Sequence, residues 1–223
     1  MIILSNFVTE RPLFIIANYI YAFFMTNLYF LIANVLFLFV YFFIELSAGL
    51  MLILFVALIP VGPSIGALLY SMGKLVREKE ISPTRDFFAG YAKNFKISLA
   101  FWSLQLLMIT ILITNLRQNE VELQSILSIF FLIMLFFLLL VSFYGFAILS
   151  RFEVTLKNLY VISAYYVFKY WKRTLFNLFG AIFSLLLLIQ FPIVSIFFLA
   201  SGIGFMLMLN LKAVLAEMED GQI

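Results

Sequence analysis

The chain has 223 residues, of which 65% are hydrophobic and 11% are charged, and its net charge is +3. A soluble domain is about 45–50% apolar and roughly 25% charged, so this composition excludes a soluble globular protein and predicts an integral membrane protein. The chain contains neither cysteine nor histidine, which excludes disulfides, thiolate nucleophiles and histidine-based catalytic pairs. We therefore predict no catalytic residue, no cofactor and no metal, and the modest net charge gives no reason to expect nucleic acid.

The membrane spans are predicted from runs of residues without a charged side chain. These runs are 12–44, 46–73, 97–116, 123–150 and 174–211. A span needs about 20 residues, so we divide the long first run into an interfacial helix near 7–22 and one span. As a single helix the last run would be about 57 Å long, against a hydrocarbon core of about 30 Å, so we place a turn at Pro192. The predicted spans of this single domain, 1–223, are 24–44, 49–73, 97–114, 125–149, 174–190 and 193–212.

The basic residues predict how the chain is oriented in the membrane. Loops 74–96 and 151–173 contain most of the fourteen Lys and Arg residues. With six spans and both termini in the cytoplasm, every basic residue except Arg117 lies inside, as the positive-inside rule requires. Five spans would move only Lys212, so length rather than charge favours six. The predicted fold class is all-α: a polytopic membrane helical bundle of about six transmembrane helices with two cytoplasmic amphipathic helices.

The second span contains its own helix breakers. Two prolines should kink or unwind it near 59–63, and three glycines fall within about 40° of one another on a helical wheel. Such a glycine seam lets another helix pack closely, and Ala200 with Gly204 is the candidate partner. A broken span also forms binding sites in transporters, but no ionisable side chain lies near this one, which favours packing. The candidate kink and packing residues are Pro60, Gly62, Pro63, Gly66 and Gly73.

The two basic loops contain stretches with the pattern of amphipathic helices. In the first, Ser82 suits the N-cap and Pro83 the first helical position, and aromatic residues at 87, 91 and 95 then recur on one face. The second stretch covers 151–173. Both are typical of helices that anchor at the membrane surface, and we favour that interpretation over a docking surface for a partner. The candidate docking residues are Asp86, Phe87, Phe88, Tyr91, Asn94, Phe95, Arg151 and Phe152.

Several short motifs in this order resemble one known family. The motifs are Gly62-Pro63, Ala67, Tyr70, Lys74-Leu75-Val76-Arg77, Asp86-Phe87-Phe88, Asn94-Phe95-Lys96, Arg151-Phe152, Leu156 and Lys172-Arg173-Thr174. From about residue 24 onward the chain resembles the YesL-like family of bacterial membrane proteins, a domain of unknown function. The chain departs from that pattern in its long, Phe-rich first span and in Ser64, and neither departure changes the expected fold.

The resemblance implies a bacterial cell membrane location and an association with transport. Members of the family tend to be encoded beside binding-protein-dependent importers of complex carbohydrates. This implies an accessory role, with transporter permease subunits, a separate ATPase and membrane lipid as partners. The family has no assigned catalytic residues, so none is carried over.

Two functions remain open at the level of the sequence. The favoured one is a non-catalytic accessory or assembly subunit of a carbohydrate (oligosaccharide) ABC importer. The alternative is a small solute transporter or channel that acts through the broken second span. An intramembrane enzyme has almost no support, because the chain has no histidine, no cysteine and no pair of acids within a span.

Overall fold

The computed structural model describes residues 12–43, 51–118 and 126–221. In these ranges the chain forms nine helices and no strand. The helices are α1 (Pro12–Ala33), α2 (Val35–Phe43), α3 (Met51–Leu58), α4 (Val61–Glu78), α5 (Pro83–Gln118), α6 (Ile126–Leu149), α7 (Leu156–Lys169), α8 (Trp171–Gln190) and α9 (Pro192–Asp220).

Six stretches of helix are long and apolar enough to cross a membrane: α1, α3 with α4, α5, α6, α8 and α9. The predicted all-α membrane bundle and its six spans are therefore confirmed. The turn at Phe191 decides between five spans and six, because it folds α9 back along α8. Near the start of α8 the Asn210 side chain of α9 donates to the Arg173 carbonyl at 3.0 Å and to Asn177 Oδ1 at 2.7 Å.

Helix α4 lies at the centre of the bundle, in contact with α1, α5, α6 and α9. Its four consecutive residues Gly66, Ala67, Leu68 and Leu69 are all buried. Four consecutive helical residues point in every direction around the axis, so α4 is covered by protein on all sides. By contrast, α8 buries only Thr174, Asn177 and Ser184.

The first span differs from the prediction. Residues 12–33 form one helix through the expected boundary near 22–24, and its Tyr19 and Phe23 pack edge-to-face on Phe205 of α9, with ring centroids 6.0 and 5.2 Å apart. A separate interfacial helix is therefore wrong for residues 12–22, because α1 continues through them to Ala33 and Tyr19 packs on α9. Residues 7–11 lie outside the described ranges. The interruption falls instead at Asn34, inside the predicted span 24–44.

The first of the two predicted amphipathic helices is also not a separate element. It forms the N-terminal part of α5, a continuous helix of 36 residues. No proline follows Pro83 in this stretch, and Gly90 faces Tyr70 without interrupting the helix. The second predicted amphipathic helix is separate, as expected. It begins at Leu156. The residue before it, Thr155, is the N-cap, and its side chain accepts a hydrogen bond from the Asn158 amide.

Candidate functional site

The break in the second span lies between Leu58 and Val61, where α3 ends and α4 begins. A proline in a helix removes one backbone donor and leaves carbonyls without their usual partner. In a membrane these groups must be satisfied inside the protein. Here the Trp102 indole N–H of α5 donates to the Leu58 carbonyl at 2.8 Å, and the Ser64 amide bonds the Pro60 carbonyl at 3.3 Å. A side chain of the neighbouring helix thus stabilises the break.

A second interruption, at Asn34 between α1 and α2, faces this break. The Asn34 amide donates to Ser64 Oγ at 2.8 Å, and the Ser64 hydroxyl lies 3.1 Å from Asn34 Oδ1. Asn34 also bonds the Phe30 carbonyl of its own helix at 2.7 Å, and Ser64 bonds the Val61 carbonyl at 2.8 Å. Both side chains are buried. The two breaks are therefore joined by a polar contact in the interior of the bundle.

The glycine seam contacts two helices rather than one. A Cβ on Gly62 would overlap Trp102, and one on Gly66 would lie 2.6 Å from the Ser98 hydroxyl. The absence of a side chain at both glycines therefore lets α5 pack closely. Only Gly73, against Met208, faces α9. Helix α5, and not the candidate partner Ala200 with Gly204, therefore makes the closest approach to Gly62 and Gly66.

Helix α9 does approach α4 closely at its own glycine. A Cβ on Gly204 would overlap the Leu68 side chain. The close contact between these two helices therefore depends on small residues on both sides.

Beside the break lies an apolar cavity of about 420 Å³, here named the α6–α9 cavity. Helices α6 and α9 supply most of its lining, and α4, α5 and α1 supply the remainder. Its two polar side chains already have partners: Trp102 bonds the Leu58 carbonyl, and Ser142 donates to the Leu138 carbonyl at 2.9 Å. The cavity therefore offers no free hydrogen-bonding side chain to a polar ligand.

A third asparagine fastens α1 to α9. The Asn27 amide donates to the Ile196 carbonyl at 2.6 Å, and its Oδ1 accepts from the Ala200 and Ser201 amides at 3.0 and 3.3 Å. Ile196 and Ala200 are the pair that bond each other in a regular helix. Asn27 thus binds the backbone of α9, which a hydrocarbon side chain at this position cannot do.

One charged contact fixes the junction between α4 and α5. The Lys74 ammonium donates to Asp86 Oδ1 at 2.9 Å, and the Ser82 amide donates to Asp86 Oδ2 at 2.9 Å. Asp86 is only 3% exposed. Lys79 ends α4 in the left-handed conformation, with its amide bonded to the Leu75 carbonyl at 2.9 Å. Asp86, predicted as a docking residue, therefore binds inside the protein.

Two further ion pairs hold the C-terminal end of α9. Arg151 forms a two-bond ion pair with Glu219, and Lys169 donates to Glu217 at 2.8 Å. The hydrogen bond to Glu217 raises the pKa of the Lys169 ammonium, and a second bond to Tyr170 adds to the effect. These contacts hold the end of α9 against Arg151, which precedes α7, and against Lys169, the last residue of α7.

The candidate docking residues divide into exposed and buried groups. Phe88 is 52% exposed and Phe95 39% exposed, whereas Phe87 is fully buried and Asn94 is also buried. Tyr91, Phe152 and Arg151 are half-buried. Phe87 packs on the Tyr29 ring at 5.9 Å. Of the predicted aromatic stripe, Phe88 and Phe95 offer the most surface to a partner.

The sequence does not reveal the partners of the polar residues in the spans. Asn27, Asn34 and Asn210 each join two helices, although the sequence shows them only as isolated neutral side chains in apolar runs. Gln105 is also buried, and neither polar atom of its amide has a partner among the described residues. The available signal was the rarity of such residues in hydrocarbon, where a polar group needs a partner.

The fold and these contacts define a multi-pass membrane protein. Residues 23–116 match the model of a family described as a protein of unknown function, DUF624. This region contains the break, the glycine seam and the Lys74–Asp86 contact. No curated protein and no solved structure matches the chain.

Proposed function

We propose that the protein is a non-catalytic accessory or assembly subunit of a carbohydrate ABC importer in the bacterial cell membrane. In this role it binds the permease subunits and, through them, a separate ATPase. The observation that carries the proposal is the pair of exposed aromatic residues, Phe88 and Phe95, near the start of α5.

Helix α5 is about 54 Å long, and the hydrocarbon core is about 30 Å thick, so part of the helix extends beyond the core. Its charged residues before Arg117 all lie between Arg85 and Lys96, which assigns the extension to the N-terminal end. Phe88 and Phe95 are seven residues apart and share one face of the helix. Exposed aromatic residues on such a segment are typical anchors of a protein interface.

The resemblance to the YesL-like family supports the choice of partner. It associates such proteins with importers of complex carbohydrates, and the positive-inside rule puts the start of α5 on the cytoplasmic side. The permease loops and the ATPase of such an importer lie on that side of the membrane.

Co-purification from native membranes in a mild detergent tests the proposal. We expect the tagged protein to bring down permease and ATPase subunits in a fixed ratio. The double variant Phe88→Ser with Phe95→Ser should lose them while remaining inserted. Phe130→Ser is the matched control, because Phe130 is 50% exposed on α6, and it should retain them. Unchanged co-purification by the double variant would assign the pair to lipid anchoring.

The alternative function is transport of a small solute by the protein itself. Two facing helix interruptions at Asn34 and Ser64 favour it, because discontinuous helices form transporter sites. A sugar is disfavoured as the solute, because the α6–α9 cavity beside these interruptions has no free polar side chain to bind its hydroxyl groups. Uptake of labelled oligosaccharides by liposomes containing only this protein would establish the alternative and overturn the accessory role.

A further inference from the structure

We propose that the α6–α9 cavity binds one acyl chain of a membrane lipid. The cavity measures about 420 Å³ and lies among helices that each belong to a membrane-spanning segment. This proposal is independent of the accessory role, because it concerns a different part of the molecule.

The chemistry of the lining selects a hydrocarbon ligand. The Trp102 indole and the Ser142 hydroxyl are the polar side-chain groups of the lining, and each already bonds a backbone carbonyl. A ligand with hydroxyl or charged groups would lose its bonds to water on entering and gain none in return. In the hydrocarbon core of a bilayer, the abundant ligand without polar groups is the acyl chain of a lipid.

The size of the cavity fits an alkyl chain. A dry apolar cavity of roughly 150 Å³ binds benzene, which has six carbons, so 420 Å³ holds an alkyl segment of roughly seventeen carbons by simple scaling.

The exposure of the α6 lining indicates where the chain enters. Leu139 is 45% exposed, Phe143 is half-buried and Phe146 is 3% exposed. The cavity is therefore open to the surroundings near Leu139 and closed near Phe146. A second apolar cavity, of about 460 Å³, lies between α8 and α9. Its lining includes more exposed residues, since Phe183 and Val194 are 60% and 59% exposed.

Photolabelling of the full chain in vesicles tests the proposal. The probe is phosphatidylcholine with a diazirine in one acyl chain, and the labelled residues are mapped by mass spectrometry. We expect the cavity residue Phe146, which is 3% exposed, to be labelled several-fold more than Val141, which is 2% exposed on the same helix but lies outside the cavity lining. Labelling of Phe146 no greater than that of Val141 would overturn the proposal.

A filled cavity provides the second test. Ser142→Phe places a large side chain in the cavity and should abolish labelling there while leaving labelling of the outer surface unchanged. Leu132→Phe is the control, because it adds an aromatic side chain on the exposed part of the same helix. Persistent cavity labelling in Ser142→Phe would contradict the proposal. Should that variant fail to fold, Ala200→Leu fills the cavity from α9, and the wild-type map decides independently.

Discussion

Asn34 and Ser64 hydrogen-bond to each other at the two places where their helices are interrupted, 30 residues apart in the chain. Each residue also bonds a carbonyl of its own helix. The pair therefore joins the two interrupted segments through polar groups that satisfy each other in an apolar interior.

We expect Ser64→Ala to destabilise the protein by about 1–3 kcal/mol, because the buried Asn34 side-chain N–H loses its acceptor, Ser64 Oγ, at 2.8 Å. Thermal unfolding in detergent, followed by tryptophan fluorescence, measures the change. Ser71→Ala is the matched control, since Ser71 is equally buried but bonds only the Ala67 carbonyl of its own helix. Equal losses in the two variants would show that the Asn34 contact contributes nothing.

Asn27→Leu should lower stability by about 1–3 kcal/mol, because the bonds to the Ile196 carbonyl and the Ala200 and Ser201 amides are lost. The same unfolding assay reports it. Asn18→Leu, at a partly exposed position of α1, should change stability much less. An Asn27→Leu protein as stable as the wild type would mean that α1 and α9 hold together by apolar packing alone.

Asp86→Ala should cost about 3–5 kcal/mol, because it leaves the largely buried Lys74 ammonium without its close partner. Arg85 lies 3.8 Å from the same carboxylate but is 77% exposed, so Arg85→Ala should change stability by less than about 1 kcal/mol. The fraction of detergent-solubilised protein that remains folded after heating compares the two. A stable Asp86→Ala protein that loses importer subunits would restore Asp86 as a docking residue.

The protein should lose stability at alkaline pH because of the buried phenol of Tyr160. Its hydroxyl donates to the Phe101 carbonyl at 3.2 Å, and burial raises the pKa of the phenol from 10.0 to about 12. Between these values the unfolded chain has lost the proton that the folded chain keeps, so stability falls as pH rises from 10 towards 12. Tyr160→Phe should be less stable at neutral pH by about 1 kcal/mol, yet show a shallower fall above pH 10. Parallel pH profiles for the two proteins would contradict this.

The orientation in the membrane is tested by alkaline phosphatase fusions, which are active only outside the cytoplasm. A fusion at Asn119 should be active, and fusions at Lys79 and Gly221 should be inactive, because the basic loops stay inside. Active fusions at the last two positions with an inactive one at Asn119 would invert the orientation. Activity at both Asn119 and Gly221, with an inactive fusion at Lys79, would contradict the sixth span.

The sequence predicted the number of spans because lipid imposes simple rules of length and charge. It placed the break in the second span correctly near 59–63, because two prolines specify it. It missed the interruption at Asn34, where no proline or glycine marks the helix. It also divided residues 82–114 into two helices, because a change from polar to apolar composition looks like a boundary although the helix continues through it.

The candidate site was less predictable. The stripe of Phe87, Phe88, Tyr91 and Phe95 is visible in the sequence, but only the structure shows that Phe87 is buried while Phe88 and Phe95 are exposed. The glycine seam is visible too, but its division between Trp102 of α5 and Met208 of α9 is not.

By itself the sequence determined that the protein is membrane-embedded and helical and crosses the bilayer six times, because each of these follows from composition and run length. The tertiary structure decided which side chains meet: Asn27 with the α9 backbone, Asn34 with Ser64, and Lys74 with Asp86. The physical reason is that helices in lipid are apolar on both their lipid-facing and protein-facing sides, so hydrophobic periodicity does not reveal their neighbours. Only the packing of small residues and the pairing of scarce polar groups selects them.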